Sequence, residues 1–147
     1  MQRQPHCVCV NLRRAARAVS QLYDAALAPS GIKITQFSLL RAVERGEPVA
    51  ITDLADEMAL DRTTLARNLA PLERDGLVAL KAGADRRVTE VRLTASGRKA
   101  IARALPLWEK AQGELGRKLP AGRVEQLRSI AAETLAAASA STDGQGR

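Results

Sequence analysis

The stretch Leu60-Asp61-Arg62-Thr63-Thr64-Leu65-Ala66-Arg67-Asn68-Leu69, continued by Leu72-Glu73-Arg74-Asp75-Gly76-Leu77-Val78, decides the fold. Leu65, Leu69 and Leu72 recur at helical steps and mark the buried face of a helix running from Arg62 to about Arg74. The other face carries Arg62, Thr63, Thr64, Arg67 and Asn68, with no acid between Arg62 and Leu72, so it offers donors to phosphates and base edges. Asp61 stands just before this helix, where its carboxylate can accept from the N–H of Thr63 or Thr64 as a cap. Upstream, Thr52 is placed to cap a shorter helix with Leu54, Ala55 and Met58 turned inward, and Ala59, Leu60 and Asp61 form the turn. Two short helices joined in this way make a helix-turn-helix.

Downstream, Gly76 closes the helix, and Leu77 to Lys81 and Val88 to Leu93 read as two short strands around the turn Ala82-Gly83-Ala84-Asp85. Thr89, Val91 and Leu93 alternate with Glu90 and Arg92, so one strand face packs on helices and the other meets solvent. This hairpin is a wing. Arg86 at its tip can reach an adjacent minor groove, and Arg87, two residues after Asp85, can be tied to it by an ion pair.

Outward from this lobe, Val8 to Ala28 is a long amphipathic helix ended by Pro29, Ser30 and Gly31. Thr35 is predicted to cap a second helix carrying Phe37, Leu40 and Val43, and Pro48 to Ile51 is a short extended piece. Thr94 is predicted to cap a long helix holding Ile101, Leu105, Trp108 and Leu115 in phase, with a kink at Pro106. Pro120 is predicted to open a last helix whose stripe is Val124, Leu127, Ala131, Leu135 and Ala138. The tail 139–147 has the composition of a disordered end.

Composition agrees. The 147 residues include 27 Ala and 19 Leu against one Phe, one Tyr and one Trp, a bias towards helix formers in a chain the length of one ordinary domain. Lys and Arg number 23 against 16 acids, a net charge of +7, and 18 of the cations are Arg, the side chain best suited to phosphate. No apolar run is long enough to span a membrane and no secretion signal is recognisable, so a cytoplasmic location is expected. There is no Gly-rich phosphate loop, and His6, the one histidine, has no Ser or Asp partner nearby, so the chain is not expected to be an enzyme or to carry a cofactor.

A helix-turn-helix followed by a two-stranded wing, with one long helix before it and two after, resembles the MarR family of bacterial transcription regulators. The segment Asp85-Arg86-Arg87-Val88-Thr89-Glu90-Val91-Arg92-Leu93-Thr94 fits that family's wing pattern D-x-R-x-x-x-V-x-L-T at each fixed position. The resemblance implies a mainly α fold: residues 1–147 as one domain, dimerisation helices at 8–28 and 95–138, and a winged helix-turn-helix lobe at 32–94. It implies a homodimer that binds double-stranded DNA through Arg62, Thr63, Thr64, Arg67, Asn68, Arg86 and Arg87, with Asp85 stabilising the wing. A small-molecule effector acting at the junction of dimer helices and lobe is also implied. The competing reading is a winged helix that buries its wing against a protein partner, and the exposed arginines weigh against it.

Cys7 and Cys9 are too close for a disulfide framework and, with only His6 beside them, too few for a zinc site. Cys9 is similar in position to the reactive cysteine in the organic-hydroperoxide-sensing branch of the same family. Tyr23 matches one of the tyrosines that contact the thiolate there, whereas Arg13 and Ile34 stand where two others would be. Fourteen residues of helix put Cys9 and Tyr23 about 21 Å apart on one side, so they can meet only across a two-fold dimer. Two readings stay open: unremarkable thiols, or a redox pair.

Overall fold

A computed structural model describes residues 6–143 of the chain. Its contacts divide it into two compact units, Met1–Glu109 and Lys110–Arg147. The helices are α1 (Val8–Leu27), α2 (Ile34–Gly46), α3 (Ile51–Glu57), α4 (Arg62–Arg74), α5 (Ala95–Lys118) and α6 (Arg123–Asp143), and the strands are β1 (Val49–Ala50), β2 (Val78–Ala82) and β3 (Thr89–Leu93). Among the described residues, no helix is long and apolar enough to cross a membrane.

The first unit holds a continuous core in which Leu27, Leu40, Val43, Leu54, Leu65, Leu72 and Val91 lose all contact with solvent. Phe37 meets Trp108 with ring centroids 5.9 Å apart and planes tilted by 35°, so the aromatic pair fastens the middle of α5 to α2. Leu65, Leu69 and Leu72 bury one face of α4, as their spacing requires. The α3–α4 turn is completed by Ala59 at φ 52°, and Leu60 N–H donates to the Ala55 carbonyl at 2.9 Å. At the far end of α4, Gly76 takes φ 70° and Leu77 N–H donates to the Leu72 carbonyl, which turns the chain into β2.

The two-stranded wing expected from the sequence is a three-stranded antiparallel sheet of order β1-β3-β2. The piece before α3 pairs with β3, Val49 opposite Val91, while Leu80 opposes Val91 from the other side. Two residues are too short to show an alternation, and the partner lies some forty residues downstream, so no local pattern could announce the pairing.

Several caps also differ from the expectation. Thr35 lies inside α2, whose first N–H groups are satisfied by Gln36 Oε1, accepting from Lys33 at 3.0 Å, and by Asp24 Oδ1 on α1, accepting from Ile34 at 2.8 Å. Thr52 lies inside α3, and Ala50 occupies the cap position without a side-chain bond. Thr94 does cap α5: its Oγ1 accepts from Gly97 N–H at 3.0 Å and donates to the Gly76 carbonyl at 2.6 Å. Gly97 is required here, because a Cβ would overlap the Leu77 carbonyl.

α5 continues through Pro106 as one helix. In the second unit α6 begins at Arg123 rather than beside Pro120, after Gly122 at φ 78°, whose carbonyl accepts from Gln126. It extends past Ala138 to Asp143, as a run rich in alanine favours, and residues 144–147 of the expected tail lie outside the described residues. Leu127, Ile130 and Leu135 stay half exposed along it, and Leu127 and Ile130 join Leu119 and Pro120 around an open cleft of about 320 Å3.

Candidate nucleic-acid interface

α4 presents Arg62, Thr63, Arg67 and Asn68 as exposed side chains, separated by the small exposed residues Ala66 and Ala70. None of the Arg62, Arg67 and Asn68 side chains has a hydrogen bond or ion pair to another described residue, so their donors face solvent. Small residues between them let a helix approach another surface closely, which a helix entering a major groove must do.

Asp61 fixes the start of this face. Its Oδ1 accepts from Thr64 N–H at 2.8 Å and its Oδ2 from the Thr64 hydroxyl at 2.7 Å. The Thr64 bonds, the backbone N–H first, hold the Asp61 carboxyl below its ordinary value. Thr64 is half buried with its hydroxyl proton committed to this cap, whereas Thr63 is open.

The hairpin between β2 and β3 is closed by Gly83 N–H donating to the Val88 carbonyl at 2.8 Å and by Val88 N–H donating to Asp85 at 2.9 Å. Asp85 accepts from Arg87 three times: from the backbone N–H at 3.0 Å, and from Nε and Nη2 at 3.1 Å each. The guanidinium beside it holds the Asp85 carboxyl below its usual range. The fork is thus oriented while staying open to solvent. Arg86 is exposed and makes no hydrogen bond or ion pair within the described residues.

Sequence reading missed Glu47. Its Oε2 accepts from Leu93 N–H at 2.8 Å and its Oε1 pairs with Arg98, so one carboxylate joins the end of α2, the end of β3 and the first turns of α5. Arg98 is the main reason the Glu47 carboxyl sits below its ordinary value. The partners lie 46 and 51 positions away, and no local signal marks such a contact.

Cys7 and Cys9 are both exposed at the start of α1, with Cys7 in the cap position and its carbonyl accepting from Asn11 N–H at 3.1 Å. Tyr23, further along the same helix, is buried. His6 is exposed, and among the described residues no three His, Cys, Asp or Glu gather as metal ligands would.

The sequence profile of the MarR family matches residues 30–88, the helix-turn-helix and the turn of the wing. The transcriptional regulator MosR of M. tuberculosis, solved in complex with DNA, is 41% identical, with 92% of this chain and 98% of that one covered and a TM-score of 0.85. The chain belongs to the MarR family. It is a transcription regulator and not an enzyme. The transcriptional repressor CouR bound to a 23-mer DNA duplex is similar at 26% identity, covering 87% of this chain and 92% of that one with a TM-score of 0.78. CouR from Rhodococcus jostii RHA1 bound to p-coumaroyl-CoA is similar in fold, at 24% identity over 92% and 96% of the two chains with a TM-score of 0.75. No curated protein sequence matches the chain.

Proposed function

We propose that the protein is a cytoplasmic homodimer that binds duplex DNA in a sequence-specific way, with α4 in the major groove and the β2–β3 hairpin against the flanking minor groove. The observation that carries this is the acid-free face of α4, whose Arg62, Arg67 and Asn68 are exposed with no partner in the described residues, beside a hairpin whose Arg87 is held by Asp85. Arg67 and Asn68 read base edges, Thr63 adds hydroxyl and methyl contacts, Thr64 mainly builds the cap, and Arg86 serves the minor groove. MosR and CouR, both solved on DNA, support the reading.

α1, α5 and α6 join the two subunits, which covers the exposed Leu12, Leu127 and Leu135. Two recognition helices related by a two-fold axis then protect a near-palindromic site with half-sites roughly 10 base pairs apart. A salt series with duplex DNA obtained by binding-site selection tests the reading. Affinity falls steeply with ionic strength if several phosphates are engaged, and hardly changes if the winged helix instead docks a protein. A stable monomer in sedimentation, or a footprint over one half-site, overturns the dimer.

Control is exerted by a small ligand or by the thiols. A cleft of about 330 Å3 lined by Ser20, Ile34, Ser38, Met58, Leu60 and Asn68 reaches from α1 to the recognition helix and is the candidate effector seat. The exposure of Cys7 and Cys9 supports oxidation, in which a sulfenic acid at Cys9 condenses with Cys7 of the other subunit. DNA affinity followed under organic hydroperoxide, in the wild type and in Cys9→Ser and Cys7→Ser, decides between them. Retention of DNA after full oxidation, or an equal response in Cys9→Ser, leaves the thiols without a role.

A further inference from the structure

A second feature adjoins α4 at its start. Thr52 on α3, Arg62 at the first position of α4, and Arg87, Val88 and Thr89 at the entry to β3 line one cleft of about 240 Å3, half open to solvent. Three elements separated in sequence thus bring two arginines and two threonines to one concavity, with no acidic residue among its lining. Arg62 is exposed and its side chain engages no other described residue, so no described acid neutralises it. Arg87 presents Nε and Nη2 to Asp85, which leaves its Nη1 hydrogens for a second acceptor and removes the freedom of a long side chain. The cleft is completed by Ile51 and Val88, and its polar lining is Thr52, Arg62, Arg87 and Thr89. Its donors match a tetrahedral oxyanion that remains partly in solvent.

We propose that this cleft seats one phosphate of the DNA backbone, held jointly by Arg62 and Arg87 with the Thr52 and Thr89 hydroxyls as further donors. The proposal rests on the DNA-binding reading and deepens it: Arg62 and Arg87 grip the backbone, and Thr52 and Thr89 join the interface. A phosphate gripped here fixes the position of the hairpin relative to α4, because one ligand bridges the two. Contacts of this kind set register on the duplex and carry no sequence information.

The shared seat has a signature that separate contacts lack. Binding of the full chain to a duplex of random sequence and to a selected site is measured over a salt series for wild type, Arg62→Ala, Arg87→Ala and the double variant. Both arginines lie on the surface, so circular dichroism should be unchanged. Each single variant is expected to weaken binding about tenfold on both duplexes and to lessen the salt slope by about 0.9, the value for one phosphate. The double variant is expected to resemble the singles. Losses that multiply to about a hundredfold, with a slope reduced by two phosphates, overturn the shared seat. A loss confined to the selected site overturns it too, by making Arg62 or Arg87 a base reader. Wild type that binds neither duplex overturns the DNA-binding reading itself. Thr52→Val gives the independent check, since a few-fold loss on both duplexes is expected and an unchanged affinity removes Thr52 from the seat.

Discussion

α4 and α6 both carry leucines at helical spacing, yet they treat them in opposite ways. α4 buries Leu65, Leu69 and Leu72 within the first unit and leaves a cationic face open, whereas α6 leaves Leu127, Ile130 and Leu135 half exposed. The difference separates two tasks. A helix whose apolar face is satisfied inside its own chain is free to offer its other face to a polar ligand. A helix with an uncovered apolar stripe is unfinished until a second surface arrives. In the proposed dimer that surface is the other subunit, so the two helices answer to different perturbations.

The largest effect is expected where burial is complete. Leu69→Ala removes a side chain that is 1% exposed and should cost about 2–5 kcal/mol in chemical denaturation, the range for a buried leucine left as a cavity. The contrast is Leu127→Ala with Leu135→Ala, which lie 49% and 50% exposed and should leave the lobe's unfolding transition in place. Covering the exposed half of each is worth about 1 kcal/mol, so the pair should weaken subunit association by about 2 kcal/mol per protomer. Sedimentation read over a concentration series checks this, and association that is unchanged would break the comparison.

The polar face of α4 sharpens it next. Arg67→Ala should cost about 1–3 kcal/mol on a selected duplex and relax preference at one base pair, with no change in unfolding. Arg86→Ala should weaken binding across many sequences and lessen the salt slope. Unchanged affinity in both variants would remove this face from the interface.

What was legible in the sequence follows the same division. The lobe could be read because each device is local: leucines at helical spacing in α4, Asp61 before it, Gly76 after it, and Thr94 before α5. Long-range contacts were invisible. Thr35 and Thr52 looked like caps by residue type, but Asp24 reached the start of α2 from ten positions away, and α3 took no side-chain cap. β1 acquired its identity from β3, and Glu47 acquired its partners from β3 and α5. Arg62 and Arg87 were each visible as cations, whereas their sharing of a cleft with Thr52 depended on how the hairpin folds back towards α3 and α4.

The smallest expected effect concerns acid, and it distinguishes the caps from the core. Asp61 and Asp85 are both held below their ordinary value of 3.8, by Thr64 and by Arg87 respectively. A carboxyl whose folded value is depressed contributes stability that is fully present above the unfolded value and is lost as pH falls through the folded one. Neither group should therefore alter unfolding between neutral pH and about 5, and the cap and the hairpin tether should weaken only below about 3.8. Asp61→Asn keeps an acceptor for the Thr64 N–H but no titrating charge, so it isolates the ionised part of the cap. Urea midpoints for wild type and Asp61→Asn should differ at neutral pH, with wild type the more stable, and converge as pH drops below that range. A gap that persists in acid would mean that the carboxylate's charge is not what Asp61 contributes, and the start of the recognition face would then be set by the geometry of the acceptor alone.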